Sequence, residues 1–278
     1  MNSIVIAVII VSAIGLLLGI GLAIASIVMA VPVDEKAEAI AEVLPGANCG
    51  ACGFSGCAGY ADALSKGTAT ETTLCSPGGA DVAEQVASIL GVAAGNVVPQ
   101  SAVVMCHGTT NNCDTILNYI GVKSCKSASQ LFDGPKACNY GCLGFGDCVE
   151  ACSYNGIKIC DGVAVINPLS CKACKACIKA CPKNLIELVP LYEAKAAVFC
   201  KNKNKGAITR KECKVGCIGC MKCVKACEFD AIAVENNIAH IDSSKCTGCG
   251  KCVEGCPTKC LGLVTLGGKN IAKIQQDI

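Results

Sequence analysis

Apolar positions fall along this chain in several distinct patterns. From Ile4 to Val31 they are nearly continuous, IVIAVIIVSAIGLLLGIGLAIASIVMAV, and the first 33 residues carry no charge. Roughly 20 apolar residues suffice to cross a bilayer, so this run predicts one membrane-spanning helix. A cleaved signal peptide would need a basic leading region and a shorter apolar core, and neither is present. Beyond it, DEKAEAIAEVL (Asp34 to Leu44) has helical periodicity and stops at Pro45, and DVAEQVASILGV (Asp81 to Val92) reads as an amphipathic helix. SAVVMC (Ser101 to Cys106) predicts a buried strand and CDTILNYIGV (Cys113 to Val122) a further helix. Two short β-branched runs, IKICDGVAVI (Ile157 to Ile166) and IAVENNIAHI (Ile232 to Ile241), are each split by a turn-forming pair and predict hairpins.

Cysteine changes this picture most. The chain has 27 cysteines in 278 residues, grouped in tight local runs. Neighbours two residues apart suit a metal better than a disulfide, and thiolate ligands must stay reduced, which places this part of the chain on the cytoplasmic side. In CKACKACIKACP (Cys171 to Pro182) the thiols stand at intervals of two, two and three residues before proline. This is the bacterial ferredoxin pattern, in which three thiolates hold one 4Fe-4S cube and the fourth reaches a second.

A search for repeats finds the partner runs. Cys125, Cys138, Cys142, Cys148, Cys152, Cys171, Cys174, Cys177 and Cys181 recur at an offset of 75 as Cys200, Cys213, Cys217, Cys223, Cys227, Cys246, Cys249, Cys252 and Cys256. Crossing the fourth ligands in the second unit gives one cube on Cys217, Cys220, Cys223 and Cys256, and another on Cys246, Cys249, Cys252 and Cys227. In the first unit Phe145 stands where Cys220 stands in the second. Cys138 is the expected substitute, giving Cys138, Cys142, Cys148 and Cys181 for one cube and Cys171, Cys174, Cys177 and Cys152 for the other; a three-iron cluster on three thiolates is the alternative. Each unit then reads as a small ferredoxin-like module with a hairpin and short helices, too small to be stabilised by apolar burial alone.

A separate group near the apolar run, GANCGACGFSGCAGYADAL (Gly46 to Leu64), supplies Cys49, Cys52 and Cys57, with Cys75 following 18 residues after Cys57. Glycines there let backbone N–H groups approach cluster sulfurs. Zinc on four cysteines is the competing reading, although structural zinc sites more often use two separated C-x2-C pairs. Cys106, Cys113, Cys125, Cys160, Cys200, Cys213 and Cys260 are left over and read as buried apolar thiols, with Cys106, Cys113 and Cys125 able to supply part of a further site. His107 and His240 read as ordinary polar residues.

Formal charge is +2, but residues 34–123 hold 9 acidic and 3 basic side chains while those from Cys125 onward hold 13 acidic and 21 basic. The excess peaks between Lys172 and Lys225, with 13 basic residues against 3 acidic. A basic surface beside redox sites steers an acidic protein partner. Nucleic acid is disfavoured, since tryptophan is absent and the few aromatics are not interleaved with these lysines.

A membrane helix, then C-x2-C-x4-C with a fourth cysteine, then ferredoxin modules, resembles the B subunit of the Rnf complex, a membrane-bound ferredoxin:NAD oxidoreductase. The resemblance spans essentially the whole chain. It implies a polyferredoxin that exchanges electrons with soluble ferredoxin and with other Rnf subunits, in a complex that couples transfer to movement of sodium or protons. Expected is an α+β chain with a transmembrane anchor (1–33), a membrane-proximal 4Fe-4S domain (34–92), a connecting α/β region (93–133), two tandem ferredoxin-like two-cluster modules (134–190 and 191–265) and a tail (266–278). Twenty cysteines would bind five 4Fe-4S clusters, with 3Fe-4S as the alternative at the site beside Phe145. No G-x-G-x-x-G lies between a strand and a helix, so nicotinamide and flavin belong on partner subunits. Competing functions are an electron donor to another anaerobic enzyme, such as a corrinoid activator, and a cluster-carrying scaffold.

Overall fold

The computed structural model describes residues 3–28, 34–190 and 194–264. The last three residues of the apolar run (29–31) and the expected tail 266–278 lie outside the described residues. Helix α1 (Ser3–Val28) is long and apolar, with mean hydropathy 2.8 over Val8–Ser26 and none of that stretch buried against the protein. An exposed apolar helix of this length is stable only where its side chains meet lipid or another protein.

The membrane-proximal unit is helical. In α2 (Glu35–Val43) the Asp34 carboxylate caps the first turn, accepting from the N–H groups of Lys36 and Ala37 at 3.0 and 3.4 Å. Leu44 is extended, as a residue before proline must be, and the helix ends there. Helix α3 (Cys57–Ser65), a 3-10 turn at Ser76–Gly78 and α4 (Gly79–Leu90) complete the unit. Ile40, Leu44, Tyr60, Leu64 and Val86 form its core. Buried Tyr60 keeps its hydroxyl satisfied by donating to the Glu71 carbonyl at 2.6 Å.

The next elements are β1 (Gln100–Val104), α5 (Cys125–Ser129), α6 (Asp147–Glu150), β2 (Ile157–Cys160), β3 (Val163–Ile166), α7 (Ala176–Ala180) and β4 (Ile186–Pro190). Then follow β5 (Lys195–Val198), α8 (Gly206–Glu212), α9 (Lys222–Ala226), β6 (Ile232–Glu235), β7 (Ile238–Ile241), α10 (Lys251–Glu254) and β8 (Leu261–Val264). Both expected hairpins form, β2 with β3 and β6 with β7. Their two-residue turns, Asp161-Gly162 and Asn236-Asn237, take positive φ at both positions, the geometry that matches strand twist.

Strand β1 pairs antiparallel with β4 (Val104 opposite Ile186), and β5 pairs with β8 in the same way (Val198 opposite Leu261). The strand expected in a connecting region is therefore built into the first half of the sheet structure. Residues 100–190 and 195–264 are two similar halves, each a hairpin and a second two-stranded sheet enclosing cysteines. They meet through Val103, Met105 and Val189 on one side and Ala197, Phe199 and Val264 on the other.

The helix expected over 113–122 does not form. Thr115 instead bridges Lys136, and the N–H groups of Ile116 and Leu117 donate to the Pro135 carbonyl. Backbone pairing with 135–137 replaces the helical ladder, and Ile116 and Ile120 are left exposed. Ile116→Ala and Ile120→Ala should each change stability by no more than about 0.5 kcal/mol. Leu185→Ala, at a fully buried site, should cost about 2–5 kcal/mol. Denaturant titration of the chain under anoxic conditions checks both, and a large loss at Ile120 would contradict the irregular loop.

Candidate metal centres

Cys49, Cys52, Cys57 and Cys75 come together on the loop between α2 and α3 and at the 3-10 turn. The first three lie near enough to Cys75 to add to the upward push that burial gives its thiol. Asn48, held at positive φ, accepts from the Cys57 N–H at 2.8 Å and so closes the loop onto the start of α3.

In the first half, Cys171, Cys174 and Cys177 gather with Cys152. The Cys171 sulfur accepts N–H bonds from Ala102 at 3.3 Å and Ala173 at 3.4 Å, so β1 contributes directly to this site. The second set differs from expectation. Cys142, Cys148 and Cys181 line one cavity, and the fourth thiol there is Cys125. Cys138 lies elsewhere, against Cys113 and Cys213.

The local reason is a chain excursion between β1 and Gly134. The Phe145 ring packs on Tyr119, with centroids 5.4 Å apart, and Cys125 packs with Leu143 beside them. Asp147 fixes the helix that carries Cys125. Its carboxylate accepts from the Cys125 N–H at 2.6 Å, the Lys126 N–H at 2.9 Å and the Ser124 hydroxyl at 3.0 Å. Burial works to raise the Asp147 pKa, but these hydrogen bonds together hold it below the usual carboxylate value.

In the second half, Cys217, Cys220, Cys223 and Cys256 line one cavity, and Cys227, Cys246, Cys249 and Cys252 another. Cys260, left over in the sequence, also borders the first, with its sulfur 3.7 Å from that of Cys256. Hydrogen bonding to the Cys260 thiol brings Cys217 down to about 6 and Cys256 to about 5, while the Cys260 pKa is raised.

The donor sets fit a cube. Among the described residues no three His, Cys, Asp or Glu side chains converge closely enough to hold a single metal ion. Four thiolates on one zinc would converge at about 2.3 Å from it. Sulfurs spread around a cavity match a larger iron–sulfur core, and backbone N–H groups point at them, as from Ala164 to Cys142 at 3.5 Å and Leu185 to Cys181 at 3.4 Å.

Comparison with known sequences agrees with this chemistry. Residues 44–77 match the family described as "Putative Fe-S cluster", 164–187 the 4Fe-4S binding domain, and 207–263 the 4Fe-4S dicluster domain. The chain is 42% identical to the B subunit of the Na(+)-translocating ferredoxin:NAD(+) oxidoreductase complex of Acetobacterium woodii, covering 99% of this chain and 82% of that one. It is 39% identical to the proton-translocating counterpart of Clostridium ljungdahlii, covering 88% and 86%. With the B subunit of the ion-translocating oxidoreductase complex of Methanosarcina acetivorans it shares 40% identity over 90% and 94%. The chain belongs to the family of Rnf complex B subunits.

In this Rnf protein the sequence pattern missed Cys125 as the neighbour of Cys142, Cys148 and Cys181. At offset 75 Cys125 aligns with Cys200, yet the two occupy different places. The structural counterpart of Cys200 is Cys106: Met105 donates to Leu185 as Phe199 does to Cys260, both at 2.7 Å. Phe145 was the available signal, because a ring at a ligand position requires a thiol from outside the run. Asp147→Ala should loosen α5 by about 0.5–2 kcal/mol. Hydrogen exchange at the Cys125 and Lys126 amides should quicken, by about tenfold per 1.4 kcal/mol, and unchanged exchange would contradict the clamp.

Proposed function

We propose that this chain is the electron-transfer component of a membrane-bound ferredoxin:NAD oxidoreductase coupled to ion transport, carrying electrons between soluble ferredoxin and the membrane subunits. Five 4Fe-4S clusters would be held by Cys49, Cys52, Cys57 and Cys75; by Cys152, Cys171, Cys174 and Cys177; by Cys125, Cys142, Cys148 and Cys181; by Cys217, Cys220, Cys223 and Cys256; and by Cys227, Cys246, Cys249 and Cys252. When bound, such clusters supply one-electron redox chemistry. The ligand-bearing units are then 34–92, 100–190 and 195–264, the last two being tandem two-cluster modules.

The observation that carries this reading is that the thiol sets form a series. Tyr154 lies close to Cys174 and also to Cys49, Cys57 and Cys75, while Lys175 donates to the Ala51 carbonyl at 3.1 Å, so the membrane-proximal loop abuts the first half. Cys177 adjoins Cys148 within that half, and Cys223 adjoins Cys252 in the second. In the second half Cys220 and Cys249 are exposed, where an external protein can reach them. α1 anchors the chain, and the need for reduced thiols puts the iron–sulfur units on the cytoplasmic side.

Lys203, Lys205, Arg210, Lys211, Lys214, Lys222 and Lys225 are distributed around the second half, whereas Lys201 is tied to Glu187. A basic surface of this kind favours an acidic ferredoxin. Lys203→Glu and Lys205→Glu should slow reduction of the chain by ferredoxin and flatten its salt dependence in stopped-flow traces. Unchanged kinetics would remove Lys203 and Lys205 from the docking site. The functional reading itself is tested by Cys49→Ala in the assembled complex. Ferredoxin should still reduce the distal centres, while reduction of NAD falls away; sustained NAD reduction would refute the proposed direction of the series.

A further inference from the structure

These five sets leave seven thiols, and all of them except Cys160 and Cys260 gather in one place. Cys106, Cys113, Cys138, Cys200 and Cys213 are all buried and line one cavity between the two halves.

Hydrogen bonding separates four of the five from the other. In the ferredoxin runs a backbone N–H two residues downstream points back at a ligand sulfur: Gly144 at Cys142, Ala173 at Cys171 and Gly219 at Cys217. The same arrangement recurs at the junction, with Gly108 serving Cys106 at 3.4 Å, Tyr140 serving Cys138, Asn202 serving Cys200 and Val215 serving Cys213. Cys113 lacks it; its sulfur is partnered by the Cys213 thiol and the Cys138 backbone. The Asn202 side chain, 1% exposed, also aims its amide into the cavity and donates to the Cys138 sulfur at 3.5 Å.

The duplication supplies these four thiols two by two. Cys106 and Cys200 leave β1 and β5 at equivalent points, and their sulfurs accept from the N–H groups of Cys142 and Cys217 at 3.4 and 3.3 Å. Cys138 and Cys213 each stand four residues before those same cysteines. A four-thiol set thus straddles the contact between the halves.

We propose that Cys106, Cys138, Cys200 and Cys213 bind a further 4Fe-4S cluster at this junction, with Cys113 as a hydrogen-bond partner and not a ligand. The inference rests on the five proposed sets, which account for the other cysteine runs and leave these thiols over. It places a redox centre between the set containing Cys142 and that containing Cys217, where the two halves meet. Direct N–H bonds from those two cysteines to Cys106 and Cys200 join the junction to both neighbours.

The test uses the full-length chain purified anoxically in detergent, with iron and acid-labile sulfide counted per chain and spins counted after dithionite reduction. The wild-type chain should hold one cube more than five. Cys138→Ala and Cys213→Ala should each lose one cube's iron, and Cys113→Ala should lose none. A wild-type content of five cubes, or full iron in both Cys138→Ala and Cys213→Ala, overturns the junction cluster; should a variant not fold, the wild-type count decides. Five cubes would leave the five proposed sets standing, whereas a chain without iron would remove them together with the junction.

Discussion

Buried sulfur, and the negative charge it must carry to bind metal, is the constraint on which residues 100–264 depend. Their two apolar cores are built around Cys142, Cys148 and Cys177 in one half and Cys217, Cys223 and Cys252 in the other. Burial pushes Cys148 up to about 12 and Cys142, Cys177 and Cys252 to about 11, so without a cation these thiols would stay protonated. A bound metal reverses that preference, because a coordinating thiol is deprotonated outright. Each half has only short strands and short helices around its sulfurs, and a unit of that size gains little from apolar burial alone. Metal binding and folding are therefore one event in such units.

The backbone around the sulfurs is shaped for the same task. Ala173 and Lys175 in the first half and Met221 in the second take positive φ, costing on the order of 1 kcal/mol or more each. That conformation wraps the loop so that N–H groups turn inward toward sulfur, and hydrogen bonds to ligand sulfurs tune a cluster's potential. Gly248 marks the tightest approach, since a Cβ there would meet the Ala194 carbonyl oxygen at 1.9 Å. Charge is arranged on the outside of this scaffold, acidic toward the membrane-proximal unit and basic around the second half.

Local signals made much of this legible. The ferredoxin runs, the Asp-Gly and Asn-Asn hairpins, the Asp34-capped helix and the apolar first segment all depend on residues close together in sequence, and all appear where their patterns point. What escaped was long-range. Strand β1 finds its partner β4 more than 80 residues later, a pairing that no period or spacing encodes. The excursion between Cys106 and Cys138 is longer than its counterpart between Cys200 and Cys213. A constant offset therefore matched Cys125 to Cys200 when the fold matches Cys106. The apolar spacing at Ile116 and Ile120 misled for a related reason: the segment's backbone is engaged by residues 135–137, and its apolar side chains face outward.

The dependence of this fold on metal can be tested by hydrogen exchange on the anoxically purified chain before and after iron is removed by chelation. Amides of the hairpins at 157–166 and 232–241 should be protected in the metal-loaded chain and exchange freely once stripped, while those of α1 keep their protection in detergent. Hairpins that remain protected without iron would show that apolar packing suffices, and would contradict the account.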